Sequence, residues 1–293
     1  TWSPTPDNAR QQPGEAMRNE RVGRRAILQV RWGPLAFRKA VLEPGQALRV
    51  GRRAAEGFSL PHDAQMSDAH FELRWDGSTC RVRDLGSAQG TILGGQRIKE
   101  SLALNGEWIR AGATDFGLYI EGATLAPDTN RLEMPELSAS RLKAFELLEK
   151  QCDLFAVLDA SRDSRILVLL QESIDECRSL YEGHQGSVLA DTAPHIAQLS
   201  NKSRLLRSLI QEGWGKHWGI YFSCSASLSE ARRHFRKFLL VKTEGLDGHL
   251  YFRFYDPRVL REFLPTCTAA QREEFFGPIK RLFHEYALSD REG

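Results

Sequence analysis

Short alternating strands separated by turns are predicted between residues 27 and 120 of this 293-residue chain, and helical periodicity begins only after them. The segment 27–32 follows a two-residue apolar period, and Asp76-Gly77 lies between two further runs as a tight-hairpin signal. Other strands are predicted at 37–42, 71–75, 79–83, 91–93, 96–98, 107–110 and 115–121, and one more closes at Gly51-Arg52. Many short strands without helices between them predict a β-sandwich or barrel.

The second half has a different pattern, in which apolar runs of strand length alternate with capped helical segments. Strands are predicted at 154–158, 165–170, 218–222, 238–243 and 250–255, the last two paired across a turn at 245–248. Helices are predicted to begin at Ser138, Ser203, Ser227, Pro257 and Thr268, the third with a capping box to Glu230. This alternation predicts an α/β domain.

Domain boundaries follow from these patterns and from composition. We predict a disordered leader at 1–24, a β-sandwich at 25–122, a linker at 123–137, an α/β domain at 138–287 and a tail at 288–293. The leader is polar and contains proline, and the linker has prolines and little periodicity. The chain is therefore predicted to hold two domains.

Charge and cysteine usage exclude several classes of protein. Lys and Arg total 40 against 38 Asp and Glu, a net charge of +2, which argues against a nucleic-acid partner. No apolar run reaches the ~20 residues of a membrane helix. The five cysteines are odd in number and widely spaced, so we predict reduced thiols, no metal site and a cytoplasmic location.

Three ordered motifs of the first half carry a resemblance. They are Gly51-Arg52, then Ser67-Asp68-Ala69-His70, then the run from Asp84 to Thr91 that includes Gln89-Gly90. Together they resemble a forkhead-associated (FHA) domain, the β-sandwich family that binds phosphothreonine peptides. The resemblance implies phosphopeptide contacts from Arg52, Ser67 and Gln89, and loop-structural roles for Gly51, His70 and Gly90.

Some positions depart from the FHA pattern. Asp68 follows the serine where many members carry Arg or Asn, and a carboxylate repels a phosphate. Ala88 stands where members often have a hydroxyl, and Gln89 replaces the usual Asn. We therefore expect weak or absent phosphothreonine binding and leave open a sandwich that docks partners without phosphate.

Motifs of the second half carry another resemblance. They are the segments 177–183, 193–196, 213–220, 233–236, 251–260 and 275–279. In this order they resemble the effector chaperones, or adaptors, of bacterial type VI secretion, which load a toxin onto the VgrG spike. The resemblance implies a non-enzymatic protein whose partners are an effector toxin and VgrG, without a cofactor.

The most polar residues of these motifs are candidates for the cargo or spike interface: Arg253, Tyr255, Asp256, Arg258 and Trp214. Arg, Tyr and Trp favour interface hot spots. The alternative is a structural network in which Asp256 caps the helix that Pro257 starts, with Trp214 packed in the core. The basic run 232–237 is either a solvated helix face or a groove for an acidic partner.

The sequence offers no catalytic site, since it has no Gly-x-Ser-x-Gly elbow, no Walker loop and no His-Glu-x-x-His. The resemblance to the effector chaperones implies that the chain is an adaptor, in which the FHA-like domain adds a second protein contact. The alternative is a phosphothreonine-dependent signalling scaffold of the same secretion system.

Overall fold

A computed structural model describes residues 23–125, apart from 34 and 55–56, and residues 137–285, apart from 183–188, 190 and 243–248. Most of the predicted leader and linker, the whole predicted tail and the predicted turn at 245–248 lie outside these residues. Across the described ranges no helix has the length and apolarity needed to cross a membrane.

The first half folds as two packed β-sheets. Its strands are β1 (Ala26–Val30), β2 (Lys39–Leu42), β3 (Ala47–Gly51), β4 (Phe58–Ser59), β5 (Phe71–Trp75), β6 (Cys80–Asp84), β7 (Thr91–Leu93), β8 (Gln96–Ile98), β9 (Glu100–Ala103), β10 (Trp108–Ala111) and β11 (Thr114–Ile120). One sheet has the order β2-β1-β11-β10-β7-β8 and the other β4-β3-β5-β6-β9. Pairing is antiparallel except between β3 and β4.

Alternation along the strands places the core between the two sheets. In β5 the side chains of Phe71, Leu73 and Trp75 are buried, whereas Glu72 and Arg74 are more exposed. Phe71 stacks edge-to-face on Phe116 of the opposite sheet, with ring centroids 5.6 Å apart. Burying each of these large side chains stabilises the fold by about 1.5–3 kcal/mol. The alternation of apolar and polar residues therefore determines which face of β5 is buried.

The second half has a central sheet with helices on both faces. Its strands are β12 (Leu154–Asp159), β13 (Cys177–Ser179), β14 (Pro194–Leu199), β15 (Gly219–Cys224), β16 (Leu240–Lys242), β17 (His249–Tyr251) and β18 (Ile279–Phe283). Its helices are α1 (Ala139–Glu149), α2 (Arg165–Gln171), α3 (Leu205–Gly213), α4 (Leu228–Arg236), α5 (Pro257–Thr266) and α6 (Ala269–Phe276). The central sheet has the order β13-β14-β12-β15-β18, and β16 pairs with β17 as a separate ribbon.

Strand β12 divides the core of this half into two layers. Leu154, Ala156 and Leu158 face α1, α2 and α3, while Phe155 and Val157 face α4, α5 and α6. All six residues of β12 are buried, as expected for a central strand covered on both faces. The predicted fold class, a β-sandwich followed by an α/β domain, is confirmed.

Two predicted strands are wrong in whole or in part. Residues 165–170 form helix α2, because Ile166, Leu169 and Leu170 are spaced by three and four and pack on one face. The strand predicted at 250–255 ends at Tyr251, where the chain turns and Asp256 begins the next helix. A short apolar run does not distinguish a strand from a buried helix.

The two halves contact each other along the β2 side of the sandwich. Lys39 Nζ donates to the carbonyl oxygens of Leu170, Ser173 and Asp175 at 2.7, 2.6 and 2.9 Å. Phe37 packs edge-to-face on His195, with ring centroids 5.2 Å apart. Three carbonyls match the three donors of an ammonium group, so the lysine anchors the sandwich to the end of α2.

Candidate functional site

The predicted phosphopeptide residues lie on adjoining loops at the end of β3. A Cβ atom at Gly51 would lie 2.2 Å from the carbonyl oxygen of Asp68, so only glycine permits this close approach. The approach lets the Arg52 amide donate to the Ser67 carbonyl at 2.9 Å. The sequence therefore brings Arg52 and Ser67 side by side through a backbone contact.

His70 braces these loops from beneath. Its ring is fully buried, and its Nδ1 accepts a hydrogen bond from the Ser67 amide at 3.1 Å. Because Nδ1 accepts, a neutral ring carries its proton on Nε2, which lies 3.2 Å from the Gly90 carbonyl oxygen. Gly90 has φ of +76°, a conformation that favours glycine.

Asp84 organises the third loop. Its carboxylate accepts hydrogen bonds from the hydroxyls of Ser87 and Thr91 at 2.6 and 2.7 Å, and from two loop amides. Burial opposes the charge of Asp84, but these hydrogen bonds outweigh it and lower its pKa. The loop that presents Gln89 is thus fixed by a charged group at its base.

The cation of the candidate phosphate site is already paired. Asp68 Oδ1 lies 2.9 Å from Arg52 Nε and 2.8 Å from Nη2. Ser67 Oγ accepts from the Ala88 amide at 3.0 Å, which joins two of the loops. Gln89 is exposed between these fixed positions. The structure groups all three predicted phosphopeptide residues, with a carboxylate beside the arginine.

A second cluster of polar side chains lies where β12 ends and α5 begins. We call it the Arg–Asp cluster, and its members are Asp159, Arg162, Arg253, Asp256 and Arg258. Asp256 caps α5 by accepting from the Arg258 amide at 3.0 Å, and it also pairs with Arg162. Arg258 Nη2 lies 2.8 Å from the same carboxylate, and Arg253 pairs with Asp159. Three guanidinium groups thus surround two carboxylates.

The negatively charged side chains of this cluster are buried, whereas two of its arginines are partly exposed. The side chains of Asp159 and Asp256 are 1% and 4% exposed, whereas those of Arg253 and Arg258 are 41% and 45% exposed. Burial opposes the charge on Arg253, but Asp159 outweighs it and raises the pKa of the guanidinium. The buried carboxylates therefore hold cationic groups that face solvent.

Tyrosines border the Arg–Asp cluster. Tyr255 is buried, and the hydroxyl of the nearby Tyr251 donates a hydrogen bond to the hydroxyl of Tyr181. Burial and the charge of Asp159 raise the pKa of Tyr255 to about 12, so the phenol stays neutral at physiological pH.

Trp214 lies elsewhere. It follows α3 and packs against Tyr221, with ring centroids 6.3 Å apart, in the core layer on the other face of the central sheet. The structure therefore brings Arg253, Tyr255, Asp256 and Arg258 together but separates Trp214 from them.

Four residues in or next to the Arg–Asp cluster were not among the candidates from sequence: Asp159, Arg162, Tyr181 and Tyr251. Asp159 ends an apolar strand and Arg162 follows three residues later, a spacing too common to indicate a site. The pairing of each with a residue near 256 depends on a contact 94 positions away in the chain. Among the described residues no group of His, Cys, Asp and Glu could hold a metal ion.

Comparison with known families matches both halves. Residues 48–112 match the FHA domain family, and residues 154–274 match a family described as a domain of unknown function, DUF4123. The first match includes Arg52, Ser67 and the Asp84 loop, and the second includes the whole Arg–Asp cluster.

Several individual relatives match the FHA part of the chain. The FHA domain-containing protein FhaA of Mycobacterium tuberculosis is 34% identical over 67 residues, which are 23% of this chain and 12% of that protein. The chain thus spans about an eighth of that relative. A solved FHA domain from a study of phosphothreonine-dependent interactions is 30% identical, covering 32% of this chain and 95% of that one, with a TM-score of 0.30. The FHA domain of CT664 from Chlamydia trachomatis is 25% identical over 32% of this chain and 96% of that one, with a TM-score of 0.31.

Proposed function

We propose that this chain, which joins an FHA domain to a DUF4123 domain, is a non-enzymatic adaptor of bacterial type VI secretion. It binds one effector toxin in the cytoplasm and loads it onto the VgrG spike. The observation that supports the proposal is the Arg–Asp cluster, which lies in the DUF4123 domain and draws Arg253, Asp256 and Arg258 from the 251–260 motif that resembles the effector chaperones.

The chemistry of this cluster suits binding. Each carboxylate is held by arginines, and each of Arg253 and Arg258 keeps a large exposed fraction. A guanidinium group has five donors, so an arginine held by a buried carboxylate can also bind a partner's carboxylate. An arginine fixed before binding loses little side-chain entropy when the complex forms.

The FHA domain supplies a second contact in this proposal. Its three loops are ordered by His70, Asp84 and Gly90, so they present a fixed surface. Two modest contacts on one chain raise the apparent affinity through effective concentration, while each can still release. Because the Asp68 carboxylate already pairs with the Arg52 guanidinium, we propose that this contact does not depend on phosphate.

A phosphothreonine-dependent signalling scaffold is the second candidate. FHA domains bind phosphothreonine proteins, and the intact loop framework around Arg52 and Ser67 favours this function. The Asp68 carboxylate opposes it, because a bound phosphate would have to displace that carboxylate and would then lie beside it.

Co-purification tests the adaptor proposal. The full chain is co-expressed with the toxin encoded in the neighbouring genes, and complexes are isolated through a tag on the adaptor. We expect a stable complex in which the mass of the toxin is unchanged. A toxin that elutes separately, or that is cleaved or modified by the chain, would contradict the proposal.

A further inference from the structure

One face of the β16–β17 ribbon exposes two large apolar side chains. Leu240 and Tyr251 are direct partners across the ribbon, and partners in an antiparallel pair lie on the same face. Leu240 is 55% exposed and Tyr251 is 43% exposed. Adjacent exposed side chains of this size are typical of interaction surfaces.

This face is held in place by the segment next to it. The rings of Tyr181 and Tyr251 pack edge-to-face, with centroids 5.8 Å apart, and their hydroxyls hydrogen-bond. Arg232 of α4 donates to the carbonyl oxygens of Ser179 and Tyr181 at 2.7 and 3.2 Å. We call Tyr181, Leu240 and Tyr251 the ribbon patch; its aromatic pair is ordered before any partner binds.

Arginines border the ribbon patch on two sides. On one side, Arg232 and Arg236 both pair with Glu182 at 2.5 Å, so two cations meet one carboxylate. On the other side, Arg253 follows Tyr251 by two residues and belongs to the Arg–Asp cluster. Both borders therefore carry an excess of positive charge around an apolar centre.

We propose that the ribbon patch and its arginine borders bind a segment of the cargo toxin in which Leu- or Phe-sized side chains are flanked by Asp and Glu. This inference rests on the proposed adaptor function and names the surface and the chemistry of its partner. The apolar side chains pack on Leu240 and Tyr251, and the carboxylates pair with Arg253 and with Arg232 or Arg236. Complementary charge gives such a contact its specificity, and the buried apolar centre provides its affinity.

The test uses the full chain and a phage library of random 12-residue peptides. We expect selected peptides to contain more Asp and Glu than Lys and Arg, together with Leu or Phe. The dissociation constants of the selected peptides should rise at least tenfold for Leu240→Asp and for Arg253→Glu. Selection without acidic enrichment, or equal affinity for Leu240→Asp and wild type, would overturn the proposal.

Matched variants in the FHA domain control for general effects of charge. Leu102 is 50% exposed, close to the 55% of Leu240, and Arg74 is a more exposed arginine that pairs with Glu72. Leu102→Asp and Arg74→Glu should leave peptide affinity within twofold of wild type. Circular dichroism and thermal unfolding of each variant establish that its fold is retained.

The same variants separate this inference from the adaptor function. Toxin that binds wild type and Leu240→Asp equally well would refute the ribbon patch and leave the adaptor function standing. Toxin that binds neither protein would refute the adaptor function, while the peptide selection would still decide whether the patch binds acidic apolar segments.

Discussion

Asp68 Oδ1 contacts the Arg52 guanidinium through both Nε and Nη2, at 2.9 and 2.8 Å. This pairing neutralises the one arginine that the FHA resemblance assigns to phosphate. The side chains are 36% and 53% exposed, and exposed ion pairs contribute only about 0–1 kcal/mol, so the pair is weak enough to open. Opening it, however, leaves a carboxylate beside the incoming phosphate.

Replacing Asp68 should therefore create phosphothreonine binding. We expect wild type to bind a phosphothreonine peptide library weakly or not at all, and Asp68→Asn to bind at least fivefold more tightly. The gain comes from removing one like charge and releasing the Arg52 donors. Fluorescence anisotropy with phosphorylated and unphosphorylated libraries measures both proteins.

Arg52→Ala in the Asp68→Asn background is the control, and it should abolish the gain. Micromolar, phosphate-dependent binding by the wild-type chain would show that Asp68 does not block the site, and it would favour the signalling scaffold.

Variants of the Arg–Asp cluster should affect the stability of the fold and the binding of the toxin separately. Asp256→Ala removes a helix cap and leaves Arg162 with only its longer contact to Asp159, so we expect a loss of about 2–4 kcal/mol in the free energy of unfolding. Arg258 is largely exposed, so Arg258→Gln should cost no more than about 1 kcal/mol while weakening toxin binding. Denaturant unfolding and a binding titration measure the two effects. A stability loss for Arg258→Gln as large as that of Asp256→Ala would assign Arg258 to the structural network alone.

Lys39 should be the main anchor between the two halves. Lys39→Met leaves three carbonyl groups of the α/β domain without their donor, and we expect a loss of about 3 kcal/mol or more in the free energy of unfolding. The variant should also be cleaved faster by proteases near the contact between the halves. Lys99, a lysine elsewhere in the sandwich, provides a control as Lys99→Met. Equal stability of Lys39→Met and wild type would contradict the anchor.

His195 should make stability depend on pH. Burial lowers its pKa from 6.5 to about 4, so between these values the unfolded chain binds a proton that the folded chain does not. Its contribution is present above pH 6.5 and is lost as pH falls toward 4, by about 3 kcal/mol in total. His195→Phe should have a shallower decline in stability over this interval. Parallel curves for the two proteins would refute the prediction.

The sandwich was predictable from sequence because strands such as β5 and β6 alternate between buried and more exposed residues. The strands at 71–75, 91–93 and 96–98 have the predicted bounds. The short strands β4 and β9 were missed, since neither has enough residues to show a period. Where the two-residue period was weak, the β-sandwich was predicted from turn residues and from the order of the motifs.

The α/β half was less predictable because its central sheet is covered on both faces. Strands β13, β14 and β18 were not predicted, and α2 was predicted as a strand. Burial on both faces removes the alternation of apolar and polar residues that identifies a strand. Whether such a segment forms a strand then depends on the neighbouring strands with which it pairs. Capped helices were easier: Ser227 forms the expected capping box with Glu230, and Thr268 begins its predicted helix, where it forms a second capping box with Gln271.

The sites followed the same division. Motifs alone predict the loops around Arg52 and Ser67, whereas the pairing of Arg52 with Asp68 depends on how the two side chains are oriented in the fold. Asp256 was identified as a helix cap from Asp-Pro, whereas Asp159 and Arg162 join it only through long-range contacts.

Recruitment of the toxin to the spike tests the central claim most directly. Purified VgrG is immobilised, and toxin capture is measured with and without the full chain. We expect capture only when the chain is present, and reduced capture with Arg253→Glu but not with Arg74→Glu. Equal capture of the toxin by VgrG without the chain would contradict the adaptor function.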